Sequence, residues 1–143
     1  EWGNLDFLVI DMPPGTGDIQ LTIAQTLEVS GSVIVTTPED LAIADVRKAI
    51  SMFQAKGVDI PVTGLVENMA WFTPTDCPDK KYYLFGKGGA ERLSKEMNVP
   101  VLGQIPFNEM IREDGDKGTP IALREDSEQA KVFYDIALKV LTS

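Results

Sequence analysis

Four short stretches of this chain are apolar at nearly every position: residues 5–10, 32–36, 61–66 and 99–105. Such a run has no polar face to offer water, so it predicts a strand covered from both sides rather than the alternating strand of a half-exposed antiparallel sheet. Between the runs, apolar residues recur at helical spacing. Ile43, Val46, Ile50 and Phe53 form one stripe, Ile23, Ala24 and Leu27 another, and Phe133, Ile136, Ala137 and Val140 a third. Strand and helix in alternation predict an α/β fold, a parallel sheet with flanking helices on both faces. The helix after Thr37 has marked ends: Thr37 can cap, Pro38 suits the first helical position, Asp40 stands where a capping-box acid belongs, and Gly57 fits just past the end. Asp18 precedes the first helical stretch, and the last helix is expected from about Asp126. Residues 70–85 break the rhythm with Trp71, Phe72, Tyr82 and Tyr83 among Pro and Asp. That pattern predicts a structured inserted loop, with its aromatics either facing a partner or folded back as a satellite core.

The length of 143 residues fits one domain. With no histidine and one cysteine, the chain alone can build neither a Ser–His triad, nor a histidine base, nor an internal disulfide. Thirteen basic against 22 acidic residues give a net charge of −9, which argues against a nucleic-acid partner. No apolar run is as long as a membrane span, and Lys131 and Lys139 are the only bases after Arg124, so a basic membrane-targeting helix is not expected at that end. Glu113, Asp114 and Asp116 read as a solvated face, while Glu125, Asp126 and Glu128 complement the start of the last helix. A chain whose first residue is Glu1 and whose first buried-type run begins at Leu5 reads as part of a longer protein, reduced and cytoplasmic.

In open α/β sheets, ligands bind beyond the carboxyl ends of the strands. Those ends carry Asp11, Thr36, Thr37, Asn68 and Pro106. Phe7-Leu8-Val9-Ile10-Asp11 has the form of a Walker B strand, whose carboxylate holds the water shell of a nucleotide-bound Mg²⁺. The plainer alternative is a carboxylate that merely ends a strand. Pro13 and Pro14 then stiffen a loop that Gly15 and Gly17 free, which suits close approach of backbone to phosphate. Asn68 carries a donor and an acceptor for a ligand, or it serves as a turn residue bonding its own backbone.

Taken in order, these segments carry a resemblance. Asp11-Met12-Pro13-Pro14-Gly15-Thr16-Gly17-Asp18 is followed by Val35-Thr36-Thr37-Pro38, Asp45-Val46-Arg47-Lys48 and Glu67-Asn68-Met69. Phe85-Gly86-Lys87-Gly88-Gly89, Leu102-Gly103-Gln104-Ile105-Pro106, Ile111-Arg112-Glu113 and Gly118-Thr119-Pro120 complete the series. The chain resembles the Mrp/ApbC-type P-loop ATPases, iron–sulfur cluster carrier proteins of the MinD/ParA-like deviant Walker group. The resemblance implies that residues 1–143 are the C-terminal portion of a single P-loop ATPase domain, Rossmann-like and three-layered. It implies an ATP-binding and hydrolysing iron–sulfur carrier or assembly factor, a homodimer with iron–sulfur client or scaffold proteins as partners. An ATP-switched scaffold of the MinD/ParA kind, without a cluster, is the alternative. By position, Asp11 would be the catalytic, Mg²⁺-associated acid, and Gly15 and Thr16 would lie by the cofactor in a switch loop over residues 11–18. Asn68 would read the adenine edge, with Pro106 and Phe107 beside the base.

Two departures accompany the likeness. The family's phosphate-binding P-loop precedes its Walker B segment, and Gly86-Lys87-Gly88-Gly89 does not replace it, because Ala90-Glu91-Arg92-Leu93 follows where Gly-Lys-Ser/Thr is required. That segment reads as a glycine turn into a helix, and residues 1–143 alone are expected not to hydrolyse ATP. The family's Cys-x-x-Cys is here Cys77-Pro78-Asp79-Lys80, leaving Cys77 as the one candidate iron–sulfur ligand, against an ordinary loop thiol.

Overall fold

Three of the four apolar runs become strands. The structure, a computed structural model describing residues 2–74 and 76–142, places β1 (Ser32–Thr36), β2 (Val62–Glu67) and β3 (Val101–Gln104) in one parallel sheet of order β1-β2-β3. Thr36 lies opposite Glu67, and Glu67 opposite Gln104, so the carboxyl ends of all three strands finish in line. Successive residues of β2 serve opposite faces. Leu65 joins Ile34, Ile43, Ile50, Leu93 and Val99 in a core with α2 (Asp40–Phe53) and α3 (Gly89–Met97). Val66 joins Leu102 and Ile105 on the other side, where Val132, Phe133 and Ile136 of α5 (Glu128–Leu141) pack. Helices on both faces of a parallel sheet are the architecture that the apolar runs predict.

Residues 5–10 do not form the expected strand. Leu5, Phe7, Leu8 and Val9 are all more than half exposed, with Val9 at 89%, and no strand pairs with this stretch among the described residues. An apolar run records a demand for burial; it becomes a strand only where neighbours supply hydrogen bonds. β1 is the outer strand of the sheet, and it is covered on one face only: Ile34 and Thr36 are buried, while Val33 and Val35 on the opposite face are exposed.

Helix ends also differ from expectation. α2 begins at Asp40 behind Glu39, not at Pro38 behind Thr37. Pro38 is buried, and its carbonyl abuts Gly89 so closely that a Cβ there would collide with it. This proline thus sits at a helix–helix approach. Gly57 lies beyond the end of α2, at φ +90° in a turn where its N–H donates to Asp59 Oδ2 (2.9 Å). α1 (Asp18–Thr26) is preceded by Gly17, so Asp18 stands inside its first turn, and Leu27 is exposed rather than buried. In α5 Ala137 is exposed while its predicted neighbours Phe133, Ile136 and Val140 pack inward.

The acidic stretch on α4 (Glu109–Asp116) is not a solvated face throughout. Asp114 is 2% exposed and accepts from Arg124 Nη2 at 2.7 Å, just beyond the short 3₁₀ turn Ile121–Leu123, while its Oδ2 has no partner among the described residues. Glu113 and Asp116 stay on the outer side with Lys117 and Arg112. Removing one partner of a fully buried ion pair costs ~3–5 kcal/mol, and the half-exposed Arg124 reduces this by solvent screening. Arg124→Ala is therefore expected to destabilise by about 2 kcal/mol in urea unfolding. A loss below about 0.5 kcal/mol would show that Asp114 does not depend on the guanidinium.

Candidate functional site

The carboxyl edge of the sheet is built by backbone hydrogen bonds that reach past the strands. The Asn68 N–H donates to the Thr36 carbonyl (2.7 Å), the Ala70 N–H to Ile105 (2.9 Å), and the Phe107 N–H to Trp71 (2.7 Å). Pro106, which has no N–H to leave unpaired, sits between the last two. Thr36, Asn68 and Pro106 are thereby brought to one rim. Met69 adopts φ +54°, and its N–H donates to Asn68 Oδ1 (2.9 Å), so the side chain of Asn68 does brace its own turn. Its Oδ1 is thus engaged, and its Nδ2, a donor only, has no partner among the described residues. Thr36 is buried, with Oγ1 donating to the Thr37 carbonyl, and Thr37 caps no helix.

The most constrained group at this edge is Glu67. It is 1% exposed, its Oε2 accepts from the Ala90 N–H (2.7 Å) and its Oε1 from Gln104 Nε2 (2.8 Å). The reason lies in α3. Gly88 at its N-cap adopts φ +68° and offers no side-chain acceptor, so the free N–H groups of the first turn need one from elsewhere. A carboxylate there also meets the positive end of the helix dipole. The position where an anion would dock on Gly86–Gly89 is thus filled by the protein's own carboxylate, and the segment is a glycine turn into a helix. Sequence reasoning missed this role. The available signal was a helix start made only of glycines, together with an acid at the end of an apolar strand.

The loop before α1 forms a second group. Asp11, Gly15 and Thr16 are exposed, and Gly15 takes φ +101° with open space around it. Asp11 follows irregular backbone rather than a strand. Gln20, 4% exposed, donates Nε2 to the carbonyls of Pro13 (2.7 Å) and Pro14 (3.5 Å), pinning the rigid half of the loop onto α1. This residue also escaped the sequence reading. Among the described residues, the hydrogen bonds of residues 2–30 all stay within that stretch, so no such bond joins this loop to the rim at Asn68.

In the inserted loop, Phe72 pairs with Tyr82 in an antiparallel bridge, and the Phe72 ring meets Phe107 edge-on at 6.2 Å. The satellite-core reading holds for Phe72, which packs on Phe107, while Tyr82 and Tyr83 remain exposed. Cys77 is half-buried in a turn closed by the Lys80 N–H donating to its carbonyl (3.0 Å). No group of three or more Cys, Asp or Glu able to hold a metal occurs among the described residues. One thiolate falls short of the about four that a cluster needs. No helix among the described residues is long and apolar enough to cross a membrane.

Residues 1–141 match the ParA family, described as the NUBPL iron-transfer P-loop NTPase. The chain is 51% identical over 140 residues to the iron–sulfur cluster carrier protein of Synechocystis sp., covering 97% of this chain and 39% of that protein. It is 44% identical over 142 residues to the mouse iron–sulfur cluster transfer protein NUBPL, covering 99% and 44%. Among solved structures it is similar to a nucleotide-binding protein of Archaeoglobus fulgidus in complex with ADP, at 42% identity and a TM-score of 0.72, covering 82% and 47%. The cell division ATPase MinD of Pyrococcus furiosus, at 24% identity and a TM-score of 0.58, covering 79% and 43%, shares the fold. The chain spans less than half the length of each of these proteins.

Proposed function

Because this chain belongs to the ParA family of NUBPL-type iron-transfer P-loop NTPases, we propose that it is the C-terminal portion of an ATP-dependent iron–sulfur cluster carrier or assembly factor. The observation that carries the reading is the coverage of nearly this whole chain by a carrier relative at about half identity. The rim geometry supports the nucleotide half of it. Asn68 Nδ2 is a fixed donor suited to an acceptor on a purine edge, and Pro106 offers an apolar surface beside it. Asp11 would hold the water shell of Mg²⁺, and Gly15 and Thr16 would approach the phosphates from the loop that Gln20 braces. Bound Mg²⁺ supplies charge neutralisation for phosphoryl transfer. A P-loop in the remainder of the intact protein would complete the site, so residues 1–143 alone would turn over no ATP. The intact protein acts as a cytoplasmic homodimer that hands a cluster, as cargo, to client proteins. Cys77 contributes one thiolate and other chains supply the rest.

Anaerobic iron–sulfur reconstitution of the intact protein and of Cys77→Ser tests this. The wild type is expected to gain the visible thiolate-to-iron absorption and the variant to lose most of it. Equal loading of both removes Cys77 as a ligand. No loading of either supports the ATP-switched scaffold, a reading that Lys80 at the second cysteine position favours.

A further inference from the structure

Most cations of this acidic chain are consumed internally: seven of its 13 Lys and Arg residues pair with carboxylates, and Lys139 donates to the Leu102 carbonyl. Residues 80–87 are different. They hold Lys80, Lys81 and Lys87 with no acid, and none of the three pairs with a carboxylate among the described residues. Two of these lysines are nonetheless held in place. Lys81 Nζ lies 3.7 Å from the centre of the Trp71 ring, and Lys87 Nζ lies 4.8 Å from that of Tyr83. The Phe72–Tyr82 pair, joined by two backbone hydrogen bonds of 2.8 Å, sets Trp71 and Tyr83 on one face of the loop by strand alternation. Aromatic rings orient the ammonium groups without neutralising them. Leu84, 61% exposed, and Phe85, 37% exposed, continue the surface with apolar area.

We propose that this face, Trp71 with residues 80–87, docks an acidic segment of a partner protein, whose carboxylates meet Lys81 and Lys87 and whose apolar side chains cover Leu84 and Phe85. Oriented but uncompensated charge beside exposed aromatic and aliphatic surface is the composition of a recognition site for opposite charge. Nucleic acid fits less well, since three lysines make a short phosphate track on a chain of net charge −9. A second copy of the chain fits less well too. The acids of α4, one of the densest acidic stretches of the chain, are already paired with Arg112 and Lys117. The inference stands apart from nucleotide and cluster binding.

The test measures fluorescence anisotropy of a labelled peptide of four Glu-Gly-Leu repeats with the intact protein at low salt. Binding is expected to weaken about tenfold or more in the Lys81→Glu/Lys87→Glu variant and with the Gln-Gly-Leu peptide, and to stay unchanged in Lys56→Glu, which alters a lysine elsewhere that pairs with no carboxylate among the described residues. Thermal melting of the double variant at the wild-type temperature keeps folding out of the comparison. Four results would each overturn the proposal: no binding of the acidic peptide, an equal loss in Lys56→Glu, tighter binding of a single-stranded oligonucleotide through the same lysines, or a wild-type dimer in sedimentation that the double variant abolishes.

Discussion

Glu67→Ala is expected to destabilise the intact protein by about 3–4 kcal/mol, and Glu67→Gln by about 1 kcal/mol. The difference follows from the hydrogen bonds. Alanine removes the acceptor of the Ala90 N–H and of Gln104 Nε2 at a position 1% exposed to solvent. Each buried donor left alone costs about 1–3 kcal/mol, and the truncated side chain leaves a cavity. Glutamine is nearly isosteric. Its Oε1 can still accept from Ala90, and its amide can donate to Gln104 once that side chain turns its oxygen inward. Urea unfolding measures both variants, and hydrogen exchange adds a local reading. The Ala90 amide should lose protection in the alanine variant beyond what the drop in global stability explains. A loss under about 1 kcal/mol in Glu67→Ala would mean that water replaces the carboxylate at the helix start.

If the intact protein hydrolyses ATP as proposed, Asp11→Ala is expected to lower the Mg²⁺-dependent rate by about 10–100-fold, the range for groups that act through a metal's outer shell. Its stability should stay at the wild-type value, because the side chain is exposed and makes no hydrogen bond or ion pair among the described residues. That separation is the diagnostic. A structural carboxylate would change the melting temperature, whereas one that orders magnesium-bound water raises the Mg²⁺ concentration needed for half-maximal rate. Wild-type turnover at low Mg²⁺ would remove Asp11 from the site.

The fold was legible where apolar pattern and burial coincide. Residues 32–36, 61–66 and 99–105 give strands because each finds a neighbour, and Ile43 and Ile50 mark the inward stripe of α2. Residues 5–10 have the same pattern but no strand partner among the described residues, so they stay irregular. Local capping signals were weaker guides. Thr37 and Pro38 have the side chains of a helix start, yet the approach of Gly89 to the Pro38 carbonyl places that proline ahead of the helix. Asp114 looks like its acidic neighbours in sequence and differs from them only in what Arg124 and the packing of α4 place around it.

The order of apolar runs and helical stripes by itself determined the parallel α/β architecture, and the positions of Asn68 and Pro106 after their strands determined which edge they would share. Those are local facts, since side-chain periodicity fixes faces and strand direction fixes ends. Only the tertiary structure decided that Glu67 serves the start of a helix 23 residues away, that Gln20 ties down Pro13, and that Lys81 and Lys87 stand over aromatic rings. A buried polar group takes whichever partner folding brings within hydrogen-bond reach, and that choice is made in space rather than along the chain.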